Sequence, residues 1–287
     1  MSLRFRAFRV SGAVGVVLSS CLFACSSSPS STYSGQSEKV ETSESMVTAA
    51  TIENAESAQS NGERESRGHR HRGTLVQFGT LDQLNRGVLD GPATAKDVGR
   101  NGDFGVGTYN ALDGEMMVLD GVVYRFTSDG VLRVAHRNDP VPFAAVTDFR
   151  PDSHYVVQSP LANYEALRTF VTNAVPDQNR MFAIKVHGSF ASIKTRAPRR
   201  QSIPYPPLAE AVKTQVEFTN TNIRGTLVGF RLPTYLGTAN ATGYHFHFVS
   251  DNHRAGGHVL DVALDWATVE VEALDRLEMT APIPEED

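Results

Sequence analysis

The chain has 287 residues, 40% of them hydrophobic and 21% charged, with a formal net charge of −5. That is ordinary globular composition, with apolar material for one large domain or two small ones, and its mild acidic excess gives no electrostatic reason for a nucleic-acid partner. Both cysteines, Cys21 and Cys25, fall at the N-terminal end, so the folded part has no disulfide and any metal ligand must be His, Asp or Glu.

In chain order, the first segment reads MSLRFRAFRVSGAVGVVLSSCLFACSSSPSS. Three arginines precede an apolar run of signal-peptide length, too short for a comfortable membrane span. The run ends in LFAC and a serine-rich stretch, which resembles a bacterial lipoprotein signal with Cys25 as the lipidated first mature residue. LSSC, ending at Cys21, also fits, but cleavage there leaves apolar Leu22 and Phe23 beside the anchor. The alternative is an ordinary cleaved secretory signal and a secreted or periplasmic protein. Either way residues 1–25 predict export. Residues 26–72 are Ser, Thr, Glu, Gln and Asn with almost no aromatics, too polar to offset chain entropy, and predict a disordered tether. It ends in RESRGHRHRG, where four arginines crowd His69 and His71. A solvated basic segment is the better reading of that pair than a metal site.

From Gly73 the texture changes. GTLVQFGTLDQLNRGVLDG predicts a strand and then a short helix through Leu81, Leu84 and Val88. GDFGVGTYNALDGEMMVLDGVVYRFTSDGVLRVAHR carries turn signals at Asp113-Gly114, Asp120-Gly121 and Asp129-Gly130 between Val-, Tyr- and Phe-rich runs, an antiparallel meander. The glycines of GDFGVG lack a following helix or Lys-Ser/Thr and read as turn glycines, not a nucleotide loop. NYEALRTFVTNAV has Tyr164, Leu167, Phe170 and Val171 at helical spacing. MFAIKVHGSFASIKTR returns to strand, PYPPLAEAVKTQ turns into another helix, and VEFTNTNIRGTLVGFRLP is again strand. Mostly β, with two to four helices and no strict βαβ alternation, residues 73–287 predict an α+β domain.

In GYHFHFVSDNHRAGGHVLD, the i, i+2 alternation of a strand puts His245 and His247 on one face and Tyr244, Phe246 and Phe248 on the other. SDNHRAGG is a turn long enough to return the chain and bring His258 beside that pair, with His253 solvated at its tip. Three neutral imidazoles on adjacent strands leave positions open on a metal, as catalytic zinc requires; iron, nickel or manganese would be served less selectively. Hydrogen-bonded strand histidines are the alternative. Glu115 begins a strand whose Met117 and Leu119 share its face. Unaided, it reads as a strand-end charge reaching water rather than a buried acid with a raised pKa. Arg196, in KTRAPRRQ, reads by itself as part of a solvated basic loop.

Together, GDFGVGTYNALDGEMMVLDGVVYRF, PVPFAAVTDF, KTRAPRRQSIPYPPLAEAVKTQ, GTLVGFRLP and GYHFHFVSDNHRAGGHVLD resemble, in order, the α-acetolactate decarboxylases, over about Gly73 to Pro284. The resemblance implies a zinc enzyme of mixed α/β build with two β-rich subdomains, usually dimeric, that converts the 2-hydroxy-3-keto acid 2-acetolactate to acetoin and carbon dioxide without an organic cofactor. It also implies His245, His247 and His258 as zinc ligands, Glu115 as the active-site acid and Arg196 as the substrate-binding cation, which reverses both bland readings. Relatives continue into a C-terminal tail whose glutamate reaches the metal, whereas this sequence ends in APIPEED; the expectation is a working but slower enzyme with weaker zinc retention. The competing reading is an exported metal- or ligand-binding lipoprotein that keeps the fold without the activity.

Overall fold

Strand-forming sequence dominates from Thr74 onward, and the computed structural model, which describes residues 72–280, arranges it as two large sheets with few helices. The expected signal with Cys21 and Cys25, the tether through His69 and His71, and the terminal Glu285, Glu286 and Asp287 lie outside the described residues.

Strand β1 (Thr74–Phe78) runs to Thr80, whose hydroxyl accepts the Gln83 N–H and caps helix α1 (Leu81–Asn85). That helix ends before Val88, the last apolar position of the expected pattern, because Gly87 turns the chain with φ +82°. After β2 (Ala93–Thr94), Thr94 and Asp97 form a reciprocal capping box that starts α2 (Ala95–Asn101). This helix was not expected from the apolar pattern, although its Thr-x-x-Asp signature stands in the sequence. The meander follows as expected: β3 (Phe104–Thr108), β4 (Glu115–Leu119), β5 (Val122–Phe126) and β6 (Leu132–Val134). Gly105 and Gly107, expected at a turn, are instead inside β3. A Cβ on Gly105 would lie 2.2 Å from the Ala145 carbonyl oxygen, so close strand approach is what requires glycine there.

The chain continues through β7 (Pro140–Val141), β8 (Phe143–Thr147), β9 (Ser153–Val157) and α3 (Tyr164–Ala174). Three long strands then build the second sheet. They are β10 (Met181–Ala197), β11 (Val216–Leu232, after the short α4, Leu208–Ala211, and a 3-10 turn), and, following β12 (Gly243–Ser250), β13 (Gly256–Leu274). The last described strand is β14 (Arg276–Thr280).

The first sheet has the order β14-β1-β8-β3-β4-β5-β6, with β1 and β14 parallel and the other pairs antiparallel. In the second, β10 bonds β11 along one edge and β13 along the other, while β12 pairs with both β11 and β13. These four strands thus close on themselves, with β9 added outside β13. Side-chain alternation sorts the core into layers. Phe104 and Val106 meet Val228 and Phe230 between the sheets, and Met117 and Phe126 meet Val249 and Ala197. On the far face of the second sheet, Leu167 and Val171 of α3 pack on Phe246 and Phe248. On the far face of the first, Val98 of α2 packs with Met116 and Val118. Each fully buried side chain of this kind contributes about 1.5–3 kcal/mol relative to exposure.

The register between β12 and β13 depends on Gly257, which has φ +115° and lies where a Cβ would come 2.6 Å from the Arg196 carbonyl oxygen and 3.0 Å from the Phe126 ring. Gly257→Ala should therefore destabilise the fold by about 1–3 kcal/mol, the usual cost of a strained backbone conformation. Urea unfolding measures this directly, and an unchanged midpoint would show that β13 enters the sheet without that constraint.

Candidate active site

Strand β12 sends Tyr244, Phe246 and Phe248 toward α3 and turns His245 and His247 toward the first sheet. The exposed turn after it, with His253 at φ 52°, brings β13 back so that His247 and His258 are direct cross-strand partners. His253 is exposed, as expected, and its Nε2 lies 3.3 Å from the Tyr124 hydroxyl.

The three histidines converge through specific nitrogens. His245 Nε2 is 3.2 Å from His247 Nε2 and 3.2 Å from His258 Nδ1, and the remaining separation is 3.3 Å. Tetrahedral zinc with Zn–N bonds of 2.0–2.1 Å places its nitrogens about 3.3–3.4 Å apart, so the triangle matches three ligands of one ion. The protonation pattern agrees. His247 Nδ1 lies 2.7 Å from the Met116 carbonyl oxygen; a carbonyl only accepts, so Nδ1 carries the proton and Nε2 offers a lone pair. Burial pushes His245 down to about 4, aided by the Arg196 charge, and holds His247 and His258 well below the usual histidine range. All three rings are neutral at pH 7, the form that binds a cation. Among the described residues, they are the group of His, Cys, Asp or Glu side chains that could hold a metal ion.

Glu115 opens β4 and is 7% exposed, with Oε2 3.6 Å from His247 Nε2. Burial pushes its carboxyl up to about 7, against a smaller opposing pull from Arg196. The strand-end charge reaching water that Glu115 suggests on its own is thus replaced by a buried acid. A strained turn places it: Ala111 and Leu112 have φ of 59° and 51°, and Gly114 has φ +107°. The Asp113 carboxylate in that turn is gripped by Arg125 from β5 and, at 2.9 Å, by Arg200. Arg125 also donates to the Asp113 carbonyl at 2.8 Å and lies over the Tyr109 ring at 4.7 Å.

Arg196 is not in the solvated loop that its neighbours suggest. It sits within β10, paired across to Glu217 on one side and His258 on the other. Its Nη1 donates to Gln215 Oε1 at 2.7 Å, and its buried Nε has no hydrogen-bond partner. Arg199 and Arg200, just beyond, are exposed as expected. The following Gln201 N–H donates to the Ala111 carbonyl at 2.8 Å, tying the Arg196 segment to the turn before Glu115. All five expected site residues therefore come together. The Met116 carbonyl, the Arg125–Asp113 clamp and Gln215 were not legible in advance; Asp113 had signalled only a turn, and a backbone carbonyl leaves no mark on a sequence.

The family model for alpha-acetolactate decarboxylase matches residues 75–287. The chain is 40% identical over 209 residues to an alpha-acetolactate decarboxylase of Methanosarcina mazei, covering 72% of each protein. It is 36% identical over 208 residues to that of Bacillus subtilis, covering 72% of this chain and 81% of the relative. The crystal structure of alpha-acetolactate decarboxylase from Bacillus subtilis superposes with a TM-score of 0.72 at 35% identity, over 74% of this chain and 90% of that one.

The clamp on the Glu115 turn is open to test. The side chains of Arg125 and Asp113 are only 11% and 25% exposed, so removing the cation leaves Asp113 with the largely exposed Arg200 alone and deprives Asp139 of its ion pair in a partly dry place. Arg125→Met should cost about 2–4 kcal/mol, near the lower end for breaking a buried pair. Denaturant unfolding reads the cost, and a loss below 0.5 kcal/mol, the scale of an exposed pair, would show that the clamp does not hold the turn.

Proposed function

Because the chain belongs to the α-acetolactate decarboxylase family, a family of carboxy-lyases, we propose that it converts 2-acetolactate to acetoin and carbon dioxide, with zinc held by His245, His247 and His258 and with Glu115 and Arg196 as catalytic residues. The observation that carries this reading is the triangle of neutral nitrogens, 3.2–3.3 Å on each edge, set beside a buried carboxyl and a guanidinium with an unpartnered Nε.

2-Acetolactate is a β-keto acid. Breaking its bond to the carboxyl carbon releases carbon dioxide and leaves the electron pair as an enediolate, which takes a proton on carbon to become acetoin. Zinc, when bound, supplies a Lewis acid for the oxygens on which that charge develops. Arg196 receives the substrate carboxylate through its Nε edge in a charge-assisted contact and orients the bond that breaks. Glu115, with its carboxyl raised to about 7 by burial, can keep a proton at neutral pH and yield it to one face of the enediolate. His247 stays fixed because its Nδ1–H is committed to the Met116 carbonyl. Met117, Phe126 and Val249, which pack together between the sheets, keep this end of the interior dry.

We also propose that the protein is exported and anchored through Cys25, a reading supported by the LFAC sequence ahead of a serine-rich segment. Cys25→Ser should release the protein from the membrane fraction; release by Cys21→Ser instead would move the anchor.

The catalytic assignment has a sharper test. Purified full-length protein should contain about one zinc per chain, lost in His247→Ala together with acetoin formation. Glu115→Gln should keep the metal and lower kcat by about 10²–10⁴-fold, the range for losing a general acid. Wild-type turnover in Glu115→Gln would remove Glu115 from the chemistry.

A further inference from the structure

Arg196 has one hydrogen-bonding edge already taken. Its Nη1 donates to Gln215 Oε1 at 2.7 Å, while Nε is buried without a partner. Gln215 caps the short 3-10 turn that leads into β11, one residue beyond the paired end of the β10–β11 ladder. Its amide cannot be reversed. Nε2 donates to Glu217 Oε1 at 3.1 Å, an acceptor only, and Oε1 faces Arg196, a donor only. Glu217 is held in turn by Lys194 at 2.6 Å, which keeps its carboxyl below the usual range and therefore ionised. A chain of committed donors and acceptors thus runs from Lys194 through Glu217 and Gln215 to Arg196.

We propose that Gln215 is a positioning residue for the decarboxylation: by occupying Nη1 it directs the Arg196 guanidinium so that the substrate carboxylate is received on the Nε edge. This rests on the assignment of Arg196 as the carboxylate-binding residue. Without Gln215, the guanidinium can rotate, and a carboxylate can approach its end-on fork between the two terminal nitrogens. Capturing the carboxylate on the Nε edge then requires the guanidinium to be ordered first, which weakens substrate binding. The carboxylate loses its charge as carbon dioxide departs, so its contact with Arg196 is strongest before the reaction. The loss should consequently fall on KM more than on kcat.

The experiment is a double-mutant cycle on the purified, zinc-replete full chain with 2-acetolactate as substrate. Gln215→Ala should raise KM by about tenfold with kcat changed less than about threefold, the signature of lost ground-state binding. Arg196→Lys should raise KM by itself, and adding Gln215→Ala to it should raise KM no further, because the two residues act as one unit. A purely structural role for Gln215 would instead give the same additional loss in both backgrounds, and that result overturns the proposal. An unchanged KM in Gln215→Ala, with KM raised in Arg196→Lys, overturns the role of Gln215 alone. An unchanged KM in Arg196→Lys overturns the assignment of Arg196 and the proposal with it.

Discussion

Three imidazole nitrogens face one another at 3.2–3.3 Å, and burial keeps all three rings neutral. Of these nitrogens His247 Nε2 offers a lone pair, and a cation shared by all three would offset the cost of crowding them in a dry place, so the surrounding structure must hold them there. Much of the local architecture serves that purpose. The β12–β13 register sets His247 opposite His258, alternation along β12 adds His245, and the Met116 carbonyl fixes the His247 ring from the other sheet. A one-residue slip of β12 would send both its histidines to the α3 face and its phenylalanines into the site.

The two sheets divide the work. The closed second sheet carries the histidines and Arg196, whereas the first delivers Glu115 from the start of β4. Their relative placement is secured by more than apolar packing. Gln201 bonds the turn before Glu115, and Arg200 grips Asp113 in that turn. A shift of the loop after β10 would thus move the acid along with the strand that carries the cation. This coupling gives the Arg125–Asp113–Arg200 group a role in the site without any contact with the histidines.

Much of this arrangement was legible from residues 73–280. The Asp-Gly pairs mark the turns of the meander, Asp120-Gly121 in a two-residue hairpin and the other two in longer connections, and HFHF followed by a turn and His258 describes two adjacent strands with their histidines on one face. What escaped were features set by partners distant in sequence. Glu115 reads as a strand-end charge because nothing nearby shows that the second sheet covers it. Arg196 sits among basic residues that suggest a loop, yet β10 continues through Ala197 because β11 and β13 pair with it on both sides. The glycines of GDFGVG suggest turns, and only the approach of β8 explains them in a strand. The family resemblance supplied the roles proposed for Glu115 and Arg196; their geometry follows from the sheets.

A single metal ion on the proposed site would bind through His245 Nε2, His247 Nε2 and His258 Nδ1. Anomalous diffraction from crystals of the zinc-loaded protein, collected on both sides of the zinc edge, tests it most directly. The expected result is a peak about 2.0–2.1 Å from His245 Nε2, His247 Nε2 and His258 Nδ1, the ordinary zinc–imidazole distance. A stoichiometric zinc peak elsewhere in the chain, with the three imidazoles unligated, would contradict it.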